Sequence, residues 1–418
     1  MRHKTVFVSF VLVMLSLLTA SCGRRTVVRF AVISDTHIGG PTTVDKTTKS
    51  LRVLCSKEPR IDAIFVVGDL TDNGKPEQYD KLAEIFSDRT IVPEGVAVYM
   101  MMGNNHDKTT SGGIQYFTEK TGQPLRHYVD IKGFPFIAFS EGGSRANEFN
   151  DDVKQWLAET MADAAKKYLG KPIFAFSHVP PMNTCYGSLQ SEGWGTDIFL
   201  PIYNQYSQAV VFGGHSHYPL GDPRSIHQDK FTSVNDGSVY YSEVAPGEIS
   251  KGIHPEENGN VTEGVIVNVM SDNSIEIERW DTFRDEEILP RWTIEAPHDG
   301  SRFAYRNRDG LPAPAFHAGA AVKGHIDGDE YVITVPQASD NDVVFKYDID
   351  FIENDTVAYS YNFFSLFYLN SEMPDEITYR IPNVPKGRTL TVEAVATDSY
   401  GNRSEPLKGE TFIIADKK

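Results

Sequence analysis

Five short stretches of this chain each end an apolar run with residues that bind cations or carry protons. "FAVISDTH" supplies Asp35 and His37, "FVVGDLTDNG" Asp69, "YMMMGNNHD" Asn105 and His106, "FAFSHVPP" His178, and "VVFGGHSHYP" His215 and His217. Carboxylate oxygens and neutral imidazole nitrogens together suit transition metals, and imidazole adds no negative charge to repel an anionic substrate. Two cations about 3.5–4 Å apart clamp the attacking and leaving oxygens of a phosphoryl displacement, and coordination lowers the pKa of bound water towards ~7. A carboxylate, with two anionic oxygens, is the natural bridge between them. His106 is the candidate proton donor to the leaving alkoxide. Asp72 and Asp107 are either orienting groups behind the ligands or solvated turn carboxylates. One histidine at a strand end is more often structural, but five such ends in one chain point to a metal site.

The elements that must position these residues are legible as apolar β-type runs alternating with helical stretches from Val27 to about Val211. "VVRFAVI", "AIFVV", "GVAVYMMM", "FPFIAFS", "PIFAFS" and "QAVVF" are the strands, and residues 44–56, 76–87 and 149–168 are helical candidates. Val, Ile and Phe dominate the runs, as in strands buried on both faces. In an open parallel sheet the carboxyl ends of the strands form the ligand crevice. Asp35 and Asp69 lie 34 residues apart, Asp69 and Asn105 36, and His178 and His215 37, each close to one strand-helix-strand step of roughly 30 residues or more. Successive steps therefore bring all five loops to one edge. Within residues 238–284, "GVIVNVM", the turn "SDN" and "SIEIERWDTF" alternate at period two and predict a hairpin that completes a second sheet.

The order Asp-x-His, Gly-Asp, Asn-His-Asp, His, Gly-His-x-His resembles the calcineurin-like metallophosphoesterases. The resemblance implies an α/β fold, a two-sheet metallophosphoesterase sandwich flanked by helices, over residues 26–285. It further implies two divalent or mixed-valence transition metal ions drawn from Mn, Fe, Zn and Co. Asp35, His37 and His217 would hold one, Asn105, His178 and His215 the other, and Asp69 would bridge them. The family motif reads Gly-Asn-His-Asp or Glu, whereas this chain has Gly103-Asn104-Asn105-His106-Asp107. With Asn105 beside His106 as the ligand, Asn104 stands in place of glycine and is expected in a left-handed backbone, which asparagine tolerates. The rival register is a one-residue insertion with Asn104 as ligand. "GDLTDNG" resembles the phosphodiesterase-like branches more than the purple acid phosphatases, whose pattern adds a tyrosine after Gly-Asp. A phosphodiester is thus the favoured substrate, a phosphomonoester of the acid phosphatase or nucleotidase type the alternative, and a non-catalytic surface lipoprotein the reading from another class.

A Pro, Gly and Ala-rich connector is expected over residues 286–318, and seven short strand candidates without a helix follow over residues 319–418, the pattern of an all-β immunoglobulin-like sandwich. Its last strands resemble a fibronectin type III domain. Arg145 and Arg224 are candidates to grip a phosphate, with exposed surface arginine as the plainer alternative. The other histidines lack motifs.

At the amino end, basic Arg2 and Lys4, an apolar run from Val6 to Leu18 and "LTASC" resemble a lipoprotein-type signal over residues 1–21, with Cys22 lipidated. The expected location is the bacterial cell envelope, attached to a membrane through that lipid. Removing residues 1–21 takes away two positive charges and moves the net charge from −17 to −19. Such a surface repels long nucleic acid but not a small phosphate ester held at a cationic site. Cys55 and Cys185 are expected as unpaired, buried small residues. Cys22→Ser should release the protein from membranes, since stable attachment takes more than one acyl chain at ~0.8 kcal/mol per buried CH₂; a variant that still sediments with membranes in high salt counts against the anchor.

Overall fold

A computed structural model of the protein describes residues 24–104, 106–140, 151–244, 257–306, 310–370, 372–384 and 387–413. Cys22, Asn105 and Arg145 lie outside the described residues. The first twelve strands are β1 (Thr26–Ile33), β2 (Ala63–Val67), β3 (Ala97–Met101), β4 (Arg126–Ile131), β5 (Phe134–Phe139), β6 (Ile173–Phe176), β7 (Ala209–Gly213), β8 (Ile226–Gln228), β9 (Thr232–Asn235), β10 (Glu263–Met270), β11 (Ile275–Asp281) and β12 (Glu286–Ile294). They form two six-stranded sheets, in the orders β12-β11-β10-β1-β2-β3 and β4-β5-β6-β7-β9-β8. β1, β2 and β3 run parallel, as do β5, β6, β7 and β9.

The sheets face each other through phenylalanine. Phe30 sits at the centre, with its ring edge-on to Phe65, Phe136, Phe174, Phe176 and Phe212, and Phe65 stacks on Phe176 at 4.1 Å. Edge-to-face and offset contacts of this kind add about 0.5–1.5 kcal/mol per pair beyond area burial. α1 (Thr43–Ser56) and α2 (Pro76–Ser87) bury residues spaced three and four apart, Thr47, Leu51 and Leu54 on one and Tyr79 and Leu82 on the other. They cover the outer face of the first sheet. α3 (Gly113–Thr121) follows β3, and α4 (Asp151–Lys167) covers the second sheet through Val153, Leu157, Met161 and Ala164. Helices on both outer faces are why β2, β6 and β7 are buried along their whole length.

Two expectations need correction. The β10–β11 hairpin does not complete a second sheet; it pairs antiparallel with β1 and extends the first. Its alternation at period two marked a hairpin but carried no sign of which edge it would join. The connector also starts later than residue 286, because Glu286–Ile294 is the edge strand β12, paired with β11. Beyond β12 the segment is tied down: Thr293 N–H donates to the Tyr305 hydroxyl at 2.9 Å, and Gln228 Oε1 accepts from Ala304 and Tyr305 N–H.

The remaining strands, β13 (Lys323–Asp327), β14 (Glu330–Pro336), β15 (Val344–Glu353), β16 (Thr356–Phe364), β17 (Glu376–Pro382), β18 (Thr389–Asp398) and β19 (Leu407–Ile413), form sheets β13-β14-β17 and β16-β15-β18-β19 around their own core of Ile333, Tyr347, Ile349, Val392 and neighbours. This β-sandwich packs on the α/β body through an aromatic cluster. Phe345, Phe364, Phe367 and Tyr368 come from the sandwich, and Tyr186, Tyr218 and Val244 from the body. Polar contacts flank the cluster: Asn370 Nδ2 donates to Glu263 Oε1 at 2.7 Å, and Ser399 Oγ to Asp222 Oδ2 at 3.1 Å. Cys55 is half-buried and Cys185 buried, both unpaired. Among the described residues no helix is long and apolar enough to cross a membrane.

Glu263 is 1% exposed, and burial pushes its carboxyl up to about 8 from an ordinary 4.5 despite hydrogen bonds from Leu220 N–H and Asn370. Between those values the folded chain holds a proton that the unfolded chain has released, so stability falls as pH rises through the window. Glu263→Gln should remove this component, up to ~1.4 kcal/mol per pH unit. Urea midpoints for wild type and variant should therefore converge or cross between pH 5 and 8, and parallel curves would contradict the protonated carboxyl.

Candidate metal centre

Every described residue singled out at a strand end lies at one edge, where the carboxyl ends of β1, β2, β6 and β7 meet. The parallel pairing of β1 and β2 continues past the strands: Asp35 N–H donates to Gly68 O and His37 N–H to Asp69 O, both at 3.0 Å. After β7, Gly214 N–H donates to His178 O at 3.0 Å, which joins the loops after β6 and β7. Asp35, His37, Asp69, His215 and His217 all have φ between 42° and 67°. That left-handed region costs a non-glycine residue of order 1–3 kcal/mol, and such outliers gather at functional sites. Here the strain falls on five residues of the loops after β1, β2 and β7.

The inward groups converge. Asp35 Oδ1 lies 3.1, 3.8 and 3.9 Å from Nε2 of His217, His37 and His178, and Asp69 Oδ2 lies 3.2 Å from His178 Nε2. Donor atoms of Asp35, His37 and His217 fall within 4.8 Å of one another, as do those of Asp69, His178 and His215, and those of His37, Asp69 and His106. Carbonyl groups hold two of the rings from behind, Val67 O at 2.8 Å from His178 Nδ1 and Tyr241 O at 3.2 Å from His217 Nδ1. A carbonyl only accepts, so Nδ1 carries the proton and Nε2 is left as a donor towards a cation.

The electrostatics suit such cations. Burial works against charge on Asp35 and Asp69, yet the facing histidines, His217 and His178 for the first and His178 for the second, hold both carboxyls below their ordinary range. Burial, reinforced by the neighbouring His178, pushes the His215 imidazole down to about 3, so it stays neutral. Asp35 Oδ1, Asp69 Oδ1 and both ring nitrogens of His37 are buried and, among the described residues, accept or donate no well-directed hydrogen bond. Buried polar atoms are nearly always paired. Nitrogen and oxygen donors left in this state, in overlapping triads, fit two transition metal ions.

The polar support behind these groups carried no signal in the sequence. Ser34 Oγ lies 2.5 Å from both Asp35 Oδ2 and Asp236 Oδ1, and His215 N–H also donates to Asp35 Oδ2 at 3.0 Å. Burial raises the Asp236 carboxyl well above its ordinary range, which suits a protonated partner beside Asp35. Asp107 is no solvated turn residue: it is fully buried and accepts from Leu70, Thr71 and Gly103 N–H and from the Thr71 hydroxyl at 2.8–3.1 Å. It ties the loop after β2 to the loop after β3. Trp194 and Tyr241 pack their rings on His215 and His217, at 5.1 and 4.3 Å.

Asn104 departs from expectation. It is not among the described residues with positive φ. It is 3% exposed, and its Nδ2 lies 3.3 Å from His215 Nε2. A half-turn of the carboxamide would bring Oδ1, the metal-binding atom, to the same place. Gly103 explains the register, since a Cβ there would lie 2.1 Å from Asp69 Oδ1. Gly103 is therefore the glycine the motif requires, and Asn104 follows it directly. Arg224 is corrected too: its guanidinium pairs with Asp222 at 2.8–2.9 Å and lies 3.6 Å over the Tyr186 ring, a structural bond and not a free phosphate grip.

Residues 28–219 match the family model described as "Calcineurin-like phosphoesterase". The α/β body is a calcineurin-like phosphoesterase domain. Curated relatives of this phosphoesterase domain include a "Probable cyclic nucleotide phosphodiesterase" of Rhodococcus erythropolis, 27% identical over 44% of this chain and 64% of its own. Another is a "cAMP/cGMP dual specificity phosphodiesterase" of Mycobacterium tuberculosis, 26% identical over 44% of this chain and 60% of its own. The chain thus spans about three fifths of the length of these two relatives. Among solved structures, a purple acid phosphatase of yellow lupin is 14% identical with a TM-score of 0.44, over 64% of this chain and 53% of its own.

The placement of Asn104 gives a test. Asn104→Ala should lower the bound metal by about one ion and slow phosphate ester turnover ~10–100-fold or more, whereas Asn105→Ala should keep both within about threefold of wild type. Metal analysis with turnover measurements checks this, and the reverse pattern restores Asn105 as the ligand.

Proposed function

We propose that the chain is a metal-dependent phosphoesterase that hydrolyses small phosphate esters, phosphodiesters foremost. The observation that carries this is the set of overlapping triads of carboxylates and imidazoles, most of them buried, at one sheet edge. Asp35, His37 and His217 would hold one metal ion, His178, His215 and Asn104 the other, and Asp69 would stand between them. When bound, the ions would supply Lewis acidity towards phosphoryl oxygens and a water made acidic enough to attack near neutral pH. The cyclic nucleotide phosphodiesterases among the relatives support a diester.

His106 carries the proton chemistry in this proposal. It is exposed, stands edge-on to His37 with ring centres 4.5 Å apart, and its Nδ1 lies 3.0 Å from Asp72 O. The carbonyl can only accept, so Nδ1 keeps its hydrogen and Nε2 gives up a proton only from the imidazolium form. Asp72 thus acts through its backbone, orienting the ring and not a metal ligand. Export, lipid attachment at Cys22 and a place in the cell envelope belong to the same proposal and rest on the leader residues alone. The three-plus-four division of the C-terminal strands supports a fibronectin type III-like sandwich.

Comparison of bis-p-nitrophenyl with mono-p-nitrophenyl phosphate tests the substrate class. Faster diester turnover that depends on added Mn, Fe, Zn or Co is expected, and a preference for the monoester would favour a phosphatase. Asp69→Asn should lose most metal and activity, because a neutral amide cannot place two anionic oxygens between cations. His106→Ala should slow alkyl esters ~10²–10⁴-fold and p-nitrophenyl esters far less, with metal retained. Equal losses on both esters would remove the acid role, and lost metal would make His106 a ligand, as its distance to His37 and Asp69 permits.

A further inference from the structure

Tyr240 and Tyr241 divide the His–Asp cluster from a second concavity. The Tyr240 ring lies 5.4 Å from His37 and the Tyr241 ring 4.3 Å from His217. Both tyrosines also line a groove of about 670 Å³ that runs along α1 past Lys46 and Lys49 to Phe283, with Asn260 beside it. That volume is within the range of small-ligand sites.

The chemistry of its walls is specific. Lys46 Nζ donates to the carbonyls of Tyr240 and Gly259 and lies 5.5 Å from the Tyr240 ring centre, and Lys49 Nζ donates to Phe283 O and lies 5.0 Å from the Phe283 ring centre. Each ammonium has three donors, so each keeps at least one for a ligand. Two half-exposed rings backed by cations, in a chain of net charge −17, suit a flat π-system with electron-rich edges. An alkyl or acyl chain would make no use of the lysine hydrogens that the backbone carbonyls leave over.

We propose that this groove is the subsite for the alcohol portion of the ester and that it takes a flat heteroaromatic group of the nucleobase class, stacked on Tyr240 and Phe283. The proposal rests on the phosphoesterase reading for its phosphate end. An ester held at the His–Asp cluster reaches the groove past Tyr240 and Tyr241, which border both. Tyr240 and Phe283 then set specificity, while the cluster makes no distinction among alcohols.

The test compares the cyclic phosphate of adenosine with that of ribose alone, which presents the same scissile bond without the base. Wild type should prefer the base-bearing ester about tenfold or more in kcat/KM, chiefly through KM, the scale of one base–aromatic stack. Phe283→Ala is the informative variant, because its ring lies beside Lys49 and Arg284 and not among the rings packed on the cluster histidines. It should collapse the preference several-fold with bound metal unchanged, and Tyr240→Phe should keep the preference where Tyr240→Leu loses it. An equal effect of Phe283→Ala on both esters, or a wild type indifferent to the base, overturns the subsite. If wild type hydrolyses neither ester, the hydrolase reading fails separately, and calorimetry with adenosine monophosphate and ribose phosphate decides the groove. Tighter binding of the nucleotide that Phe283→Ala abolishes supports it, and equal binding of the two overturns it.

Discussion

Two carboxylates buried in one small space set the terms for the rest of this molecule. Asp35 and Asp69 are 0% and 2% exposed, and removing unpaired anions from water costs several kcal/mol each. The fold answers by bringing imidazole nitrogens from three further loops against them and by leaving Nε2 of His178 and His217 aimed inward. Neutral imidazoles alone do not cancel two charges; a pair of cations would. The repulsion within this candidate site is of the kind that bound cations would relieve.

That arrangement demands a rigid frame. Five residues held in left-handed backbone would relax if the loops were loose, and the frame prevents it in three ways. The phenylalanine interlayer around Phe30 locks the two sheets face to face, which sets the distance between the loops after β1 and β2 and those after β6 and β7. Asp107 fastens the loop after β2 to the loop after β3 with three hydrogen bonds, and a fourth, from Gly103 N–H, braces its own loop. Gly103 and Gly214 let backbone approach the carboxylates so closely that any side chain there would collide with Asp69 or Asp35.

How much of this was legible follows from where each signal lives. Residue type and spacing along one chain exposed the parallel strands, the helices over 43–56 and 76–87, the seven C-terminal strands and the ligand types at the strand ends, because those depend on local periodicity and on the repeat of the strand-helix-strand unit. Sheet membership of the β10–β11 hairpin did not show, since alternation marks a half-exposed strand but not its partner. The left-handed backbone expected of Asn104 is not found, because "GNN" is silent on which residue touches what. The contact of Gly103 with Asp69 supports the register with Asn104 beside His215, while Asn105 lies outside the described residues. Ser34, Asp236, Trp194 and Tyr240 look ordinary in sequence and matter through contacts formed across about 20 to 200 positions, Trp194 with His215 at the short end and Ser34 with Asp236 near the long one. Arg224 shows the converse, a residue that looked free until Asp222 and Tyr186 were seen to hold it.

The contact between the sandwich and the α/β body has a consequence for the order of events in biosynthesis. Tyr218 and Asp222, just after His217, are backed by Phe367, Tyr368 and Ser399, which follow them by some 150 to 180 positions. A chain emerging amino end first exposes all six histidines and carboxylates of the cluster long before their outer support exists. Loop closure over that separation is slow compared with local helix formation. The contacts that back the residues just after His217 can therefore be completed only when the chain has been made through Ser399, beyond β18, the last strand but one.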